Sequence, residues 1–354
     1  MNKSFRRDRR LVCPSVIPTK AGILAIILIV IGSALFAGRY AGDFMMIGAG
    51  VKPLGMGGAY SAIANDGNAI YWNSSGIAQI REPEITIMHA FLYKGIATYD
   101  NVSYCQPLPN EVTIGLNLTR LTIDEIPFFD EKYLIGHNVD ERINNYDYHL
   151  PGVPEGSFKS TDDLYQFAFS KHLHYDMNMG WLFFAIPIDA YLGANIKYIK
   201  RQIRDNIGSG TGFDLSYLIK TDMATLFDLE GLGDISFAMN FQDVAGTELT
   251  WGETDNFHKD EILFNTKVGV AVVQPISSLK SSVTLAYDAD YVYQTIHHYG
   301  LDWEYNETAN LRLGYYDSNF SAGASVKIYG INVDFAVITN PLGLTNRMGL
   351  RFRF

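Results

Sequence analysis

The chain has 354 residues, a net charge of −10 at pH 7 and a mean hydropathy of +0.01. Removal of the first 37 residues takes away six basic residues and one acidic residue and leaves a charge of about −15, which argues against nucleic acid as a partner. Beyond residue 37 there is no second long apolar run, which excludes a membrane protein made of several spanning helices.

The amino-terminal residues have the pattern of a secretory signal peptide. A basic region precedes an apolar run over residues 21–37, which ends in small residues. We therefore predict a signal peptide over residues 1–37, with cleavage after Ala37 and export from the cytoplasm. The alternative is an uncleaved anchor, because the apolar run approaches the length of a spanning helix.

Residues 38–80 lack the alternation of a strand and are rich in small residues. The turn and cap residues that stand out are Gly57, Gly58, Asn65, Asp66, Asn73 and Gly76. We predict short helical turns near residues 59–64 and 68–72, in a plug segment that packs inside a barrel. The alternative is a disordered tail, although Ile63, Ile70 and Trp72 are more apolar than a tail needs.

From residue 81 to the end, apolar and polar residues alternate in segment after segment. The clearest runs lie at residues 112–119, 188–197, 298–305 and 320–328, and about fourteen such segments can be counted. Most have about the 9–11 residues that a tilted strand needs to cross a membrane. The sequence therefore predicts an all-β fold, a fourteen-stranded antiparallel transmembrane β-barrel over residues 81–354.

The predicted connections alternate in length, as they do in outer-membrane barrels. The segments at residues 106–111 and 328–331 are short, whereas those at 122–163 and 243–262 are long. If the short turns face the periplasm, the long ones face outward. In the first long segment, apolar residues form a candidate external groove for a hydrophobic ligand: Phe128, Phe129, Tyr133 and Leu134. The alternative is that they pack the loop onto the barrel rim.

The last strand is apolar on one face and basic on the other. The apolar face consists of Met348, Leu350, Phe352 and Phe354. A strand that ends in an aromatic carboxy-terminal residue resembles the assembly signal of bacterial outer-membrane barrels. The expected location is the bacterial outer membrane, with membrane lipid, lipopolysaccharide and the barrel assembly machinery as partners.

Two sequence segments resemble known families. The segments Gly55-Met56-Gly57-Gly58-Ala59 and Ala64-Asn65-Asp66-Gly67-Asn68-Ala69-Ile70-Tyr71-Trp72-Asn73 resemble the amino-terminal signature of the PorV/PorQ family, and more distantly that of FadL long-chain fatty acid transporters. The carboxy-terminal residues 333–354 resemble the closing hairpin of PorV-like proteins. Where both families usually have Asn-Pro-Ala-Gly, this chain has Asn73-Ser74-Ser75-Gly76.

The resemblance implies a fourteen-stranded, FadL-type barrel and two possible activities. The leading expectation is PorV-like: the outer loops bind or hand over secreted protein cargo or components of a type IX secretion system. The alternative is FadL-like transport of hydrophobic small molecules across the outer membrane.

An enzyme is not expected. The sequence has no nucleophile elbow and no His-Glu-x-x-His spacing for zinc. His297 and His298 are adjacent on a strand and point to opposite faces, while His172 and His174 share a face without an obvious third ligand. We therefore predict no catalytic residue, no bound metal and no cofactor.

Overall fold

The computed structural model describes residues 41–129, 154–178, 185–252, 258–291 and 294–354. The predicted signal peptide, Tyr133 and Leu134 lie outside the described residues. None of the described helices has the length and hydropathy of a membrane span. They are α1 Asp43–Met46, α2 Val51–Gly55, α3 Ala69–Trp72 and α4 Met223–Phe227, with 3-10 turns at Ser74–Gln79, Tyr93–Gly95 and Ser277–Leu279.

Within the described residues, sixteen strands form a single sheet. They are β1 Glu84–Leu92, β2 Ala97–Leu108, β3 Val112–Phe128, β4 Gly156–Asn178, β5 Ala185–Ile203, β6 Asn206–Asp222, β7 Asp234–Gln242, β8 Thr247–Trp251, β9 Lys259–Ile262, β10 Asn265–Ile276, β11 Ser281–Asp290, β12 Ile296–Tyr305, β13 Ala309–Tyr316, β14 Asn319–Ile328, β15 Ile331–Ile338 and β16 Thr345–Arg353.

Fourteen of these described strands close into a barrel. Each pairs antiparallel with its neighbours, and β1 pairs with β16 from Glu84 opposite Arg353 to Phe91 opposite Asn346. The remaining two strands, β8 and β9, form a hairpin. Its strand β8 pairs with the first part of β6, at Gly208 and Ser209. The predicted fold class, a fourteen-stranded antiparallel β-barrel, is confirmed.

The outer wall of the barrel is apolar, as a membrane-spanning barrel requires. In β16, Met348 and Leu350 point outward and are 49% and 38% exposed, whereas Arg347 points inward and is buried. The same alternation recurs in β13, where Leu311 and Leu313 are exposed and Arg312 is buried. The side chains that would be costly in hydrocarbon therefore face the lumen.

The two ends of the barrel differ. We call the end that carries the β3–β4 connection and the β8–β9 hairpin the loop end, and the end that carries Pro83 and Phe354 the terminal end. Turns at the terminal end are short except the β6–β7 turn, which contains α4. This helix begins where the Asp222 side chain accepts hydrogen bonds from the backbone of Ala224 and Thr225 at 3.0 and 3.1 Å.

The β3–β4 connection is shorter than the sequence suggested. The expected loop over residues 122–163 is in part a continuation of the two strands, which remain paired as far as Phe128 and Gly156, with a register shift between Ile123 and Ile126. Where β3 and β4 extend beyond the membrane, both faces of each strand contact water. Polar residues such as Asp124 can therefore occupy either face, and the alternation of apolar and polar residues disappears.

Residues 41–80 fill the lumen. Met56, Tyr60, Ile70 and Ile77 are almost completely buried there, and most of the segment packs against inward-facing wall residues. We refer to residues 41–80 as the lumen segment. Helix α3 lies within one of the two expected helical turns. Residues 59–64 form no helix, because the backbone amides of Tyr60 and Ser61 bind the Asp288 carboxylate of the wall at 3.1 and 2.8 Å.

Candidate functional site

Asn73 and Gly76, two of the turn and cap residues singled out in the sequence, hold the two halves of the lumen segment together. The Asn73 side chain accepts hydrogen bonds from the backbone and hydroxyl of Ser75 at 3.2 and 2.6 Å and donates one to the Ser61 carbonyl at 2.8 Å. Gly76 lies so close to Ala64 that a Cβ would be 2.2 Å from its carbonyl oxygen. Asn73 and Gly76 therefore bring the two halves of the segment together.

Gly57 and Gly58 contact the barrel wall at strands β12 and β13. Both have positive φ, of 66° and 80°, which glycine adopts more readily than residues with a Cβ. A Cβ on Gly57 would lie 2.7 Å from the Tyr315 backbone nitrogen, and the Gly57 carbonyl accepts a hydrogen bond of 2.7 Å from His298 Nδ1. The pair allows the chain to turn directly against strands β12 and β13.

Asn65 and Asp66 lie near the terminal end. Lys52 donates a hydrogen bond of 2.9 Å to the Asn65 side chain, and Asp66 lies 3.2 Å from Arg351 of β16. Burial raises the pKa of the Asp66 carboxyl, but the charges of Lys52 and Arg351, together with hydrogen bonding that includes the Asn68 backbone, place this pKa below its ordinary value. Burial lowers the pKa of the Lys52 ammonium group. These residues form a charge network rather than a ligand site.

A cavity of about 490 Å³ opens at the loop end, above the lumen segment. We call it the loop-end cavity. Its floor consists of Gly42, Asp43 and residues 45–48 together with Tyr71 and Trp72. The walls add a set of apolar side chains from several strands and from the connection before β10: Leu92, Ile262, Leu263, Ile296, Tyr316 and Ile338.

Hydrogen bonds fix the aromatic floor of the cavity. Trp72 Nε1 donates a 2.7 Å hydrogen bond to the Ala49 carbonyl, and the Tyr71 hydroxyl donates to the Met45 carbonyl. Burial raises the pKa of Tyr71 to about 12, so this hydroxyl is neutral. The rings therefore present a rigid apolar surface, while their polar atoms are satisfied within the lumen segment.

Three cations of the wall line this cavity and differ in their partners. Lys197 Nζ lies 2.8 Å from Asp214 and 2.8 Å from Asp243, so its charge is balanced. Lys267 Nζ lies 2.7 Å from Asp290 and 4.9 Å from the centre of the Trp72 ring, so its charge is balanced. In the part of the chain that the structure describes, Arg347 donates hydrogen bonds only to the carbonyls of Gly48 and Ile47, at 3.0 and 3.2 Å, and its Nε has no partner. Among the described residues, no carboxylate forms an ion pair with Arg347.

The other sequence candidates lie elsewhere. Phe128 ends β3, and the Arg204 guanidinium lies 4.1 Å from the centre of its ring. Phe129 follows it and is half-buried. Met348, Leu350 and Phe352 lie on the outward face of β16, and the Phe354 backbone binds the Pro83 carbonyl at 3.1 Å.

The histidines examined for metal binding have carboxylate partners. His172 and His174 lie 2.8 and 2.9 Å from the same oxygen of Asp189. Within the described ranges, no group of three His, Cys, Asp or Glu side chains is placed to hold a metal ion. Sequence reasoning missed Arg347, although its inward position on the last strand follows from the alternation.

No protein-family model and no curated protein matches the chain. Among solved structures, the Ralstonia pickettii toluene transporter TbuX is similar with a TM-score of 0.50 at 11% identity, covering 87% of this chain and 98% of TbuX. The monoaromatic hydrocarbon channel CymD follows with a TM-score of 0.48 at 11% identity and the same coverage. At such identities the likeness to TbuX concerns the fold alone. The likeness to TbuX therefore supports the barrel fold, whereas membership of the FadL-like and PorV/PorQ families stays a prediction.

Proposed function

We propose that the protein carries hydrophobic small molecules across the outer membrane of a bacterium, with the loop end facing outward. The observation that carries this proposal is the loop-end cavity, a concave space whose aromatic floor belongs to the lumen segment and whose walls combine apolar side chains with polar and charged ones. Small-molecule sites are usually concave and combine apolar surface with polar groups that fix the orientation of the ligand.

The polar groups of the cavity indicate where a ligand's polar end would bind. Arg347 is buried, lines the cavity and has no carboxylate partner among the described residues. A guanidinium group forms strong paired hydrogen bonds with a carboxylate. We therefore expect the cavity to accept apolar compounds and to bind those with one anionic end more tightly.

Passage requires the lumen segment to move. Tyr71 and Trp72 line the cavity floor and are buried, and the rest of the lumen segment packs below them. The likeness of fold to TbuX is consistent with a transporter and does not identify the compound. Ligand binding at the floor is the step at which the segment would be released.

Binding of two probes to the purified protein tests the proposal. Dansyl-undecanoic acid is apolar with one carboxylate, and N-phenyl-1-naphthylamine is apolar and neutral. Trp72→Ala should weaken binding of both probes, and Arg347→Met should weaken binding of the acid alone. Trp303→Ala removes an outward-facing tryptophan of β12 and is the matched control. The proposal would be overturned if the folded variants bound both probes as the wild type does. It would also be overturned if intact cells that express the protein did not take up the acid.

Cargo handling is the second candidate, and it rests on the sequence resemblance and the β3–β4 connection. Isolation of the protein from detergent-solubilised outer membranes tests it. Recovery of secreted proteins together with the barrel would support cargo handling, whereas a partner-free preparation that binds the probes would leave transport alone.

A further inference from the structure

Two side chains of the loop-end cavity each have a polar atom that no described residue satisfies. His298 of β12 and Asp290 of β11 both line the cavity, and each is more than nine-tenths buried. Among the described residues, His298 Nε2 and Asp290 Oδ1 have no hydrogen-bond partner. A buried polar atom without a partner is costly, so a partner supplied by a ligand would add to the affinity of the cavity for that ligand.

The His298 ring is held in one orientation. Its Nδ1 donates a hydrogen bond of 2.7 Å to the Gly57 carbonyl, and the ring stacks on Tyr316 with 5.4 Å between the ring centres. In a neutral imidazole only one nitrogen carries a proton, so the Nε2 atom of His298 is an acceptor. The contact with the lumen segment therefore fixes the tautomer and leaves an acceptor at the cavity.

The two acceptors belong to neighbouring positions of the wall. Asp288 is opposite His298 across β11 and β12, and Asp290 lies two residues nearer the loop end on the same inward face. Residues in such diagonal positions are about 7–8 Å apart, which allows one small group to lie between their side chains. We call His298 Nε2 and Asp290 Oδ1 the acceptor pair.

The charges around the acceptor pair decide which kind of donor fits. The other oxygen of Asp290, Oδ2, lies 2.7 Å from Lys267 Nζ. A ligand ammonium group would be repelled by Lys267, and a ligand carboxylate would be repelled by Asp290 and has no proton to donate. A hydroxyl group donates a hydrogen bond without carrying a charge, so it is the donor that suits this position.

An apolar surface adjoins the acceptor pair. A Cβ on Gly58 would lie 2.9 Å from His298 Nδ1 and 3.2 Å from Cη2 of the Trp72 ring. The aromatic floor of the cavity therefore extends to the side of His298. An aromatic ring or a hydrocarbon chain that lies on this floor can place a hydroxyl group beside the acceptor pair.

We propose that the loop-end cavity selects hydroxylated apolar compounds, such as alkylphenols, whose hydroxyl group donates a hydrogen bond to the acceptor pair. The inference rests on the proposed function, because it names the class of compound that the same cavity binds. The hydroxyl group is a second polar group of the ligand, separate from the anionic end that we expect at Arg347.

Displacement of bound N-phenyl-1-naphthylamine at about pH 8, above the ordinary imidazole pKa of about 6.5, tests the proposal. The competitors are p-pentylphenol and p-pentylanisole, which have similar apolar surfaces, although only the phenol can donate a hydrogen bond. Because the two compounds partition differently into detergent, the ratio of their inhibition constants is compared between proteins. His298→Phe keeps an aromatic ring beside Tyr316 and should reduce the preference for the phenol about two- to tenfold.

His297→Phe is the matched control. His297 is the preceding residue of β12 and is exposed, so its replacement by the same ring should leave the ratio at the wild-type value. The same ratio in the wild type and in folded His298→Phe would overturn the inference and leave the proposed function intact. If the naphthylamine did not bind to the wild type at all, the proposed function and this inference would both be refuted.

Asp290→Asn is a second variant that preserves the size of the side chain. Because Lys267 binds the oxygen of the new amide, its NH₂ group takes the place of the acceptor Oδ1, and the ratio should shift toward the anisole. Asp100→Asn, at the half-exposed pair with His89, is the control and should keep the wild-type ratio. A wild-type ratio in Asp290→Asn would exclude Asp290 from the acceptor pair and contradict the proposal.

Discussion

Arg351 Nη1 of the last strand lies 3.2 Å from the carboxylate of Asp66 in the lumen segment, although 285 residues separate them along the chain. Beside this pair, Glu84 of β1 accepts hydrogen bonds of 2.6 Å from the Gly67 backbone and from Arg353 Nε. Strands β1 and β16 are the two that close the barrel. The lumen segment is therefore bound to β1 and β16, the two strands whose pairing closes the barrel.

Removal of one partner from the Asp66–Arg351 pair should be costly. Both side chains are largely buried, so Arg351→Met leaves the Asp66 carboxylate with the charge of Lys52 alone and should reduce the free energy of unfolding by at most about 3–5 kcal/mol. The urea concentration at which the heat-modifiable band shifts measures this loss. Glu248→Gln breaks the exposed Lys259–Glu248 pair and should cost about 0–1 kcal/mol. Equal midpoints for Arg351→Met and Glu248→Gln would show that the pair does not hold the segment.

The stabilisation by Asp66 should depend on pH in one direction. Its folded pKa lies below the ordinary value of 3.8, because the charges of Lys52 and Arg351 and the hydrogen bonds to the carboxylate together outweigh the effect of burial. The contribution to stability is therefore complete above the unfolded pKa and is lost as the pH falls through the lower folded pKa. Urea unfolding between about pH 7 and about pH 3 should show a loss at the acid end that Asp66→Asn reduces. Identical acid profiles for the two proteins would contradict this assignment.

The contact between wall and lumen segment predicts a second destabilising change. A Cβ on Gly314 would lie 2.0 Å from the Gly57 backbone nitrogen and 2.3 Å from the Met56 carbonyl carbon, and backbone cannot move aside as a flexible side chain can. Gly314→Ala should therefore cost about 1–3 kcal/mol in urea unfolding. Gly156→Ala is the control, since no atom lies within 4 Å of the Cβ it would add. If both variants had the same stability, the lumen segment would not pack closely against β13.

The strands could be predicted because a membrane imposes alternation on them, as Leu311, Arg312 and Leu313 illustrate. Outside the membrane-spanning wall this alternation is not required, and the strands there were not predicted. The β8–β9 hairpin has strands of five and four residues outside the barrel wall, and their pattern resembles a loop. Within the candidate site, Trp72 was recognisable from the sequence as part of the plug segment. The lack of a carboxylate partner for Arg347 among the described residues was not, because it depends on how distant strands and the lumen segment meet.

The apolar face of β16 predicts an assembly defect. Phe354 is 67% exposed, and Met348 and Leu350 extend the same outward face. Phe354→Asp places a charge at the end of that face and should prevent formation of the heat-modifiable barrel in cells, because a carboxylate is costly to bring into hydrocarbon. Phe354→Tyr keeps the aromatic ring and should assemble normally. Normal assembly of Phe354→Asp would exclude Phe354 from the assembly signal.

Deletion of residues 44–76 should open the lumen. This part of the lumen segment supplies buried side chains such as Tyr60 and Ile70, and it contacts the wall on opposite sides through Gly57 and Ser75. Its removal leaves polar inward-facing side chains, including Asn117 and Gln166, around a water-filled space. Planar-bilayer recordings should show higher single-channel conductance than the wild type. Deletion of residues 247–251, which removes β8 from outside the barrel wall, is the control and should leave the conductance low. If the 44–76 deletion folds and its conductance is unchanged, the segment does not plug the pore.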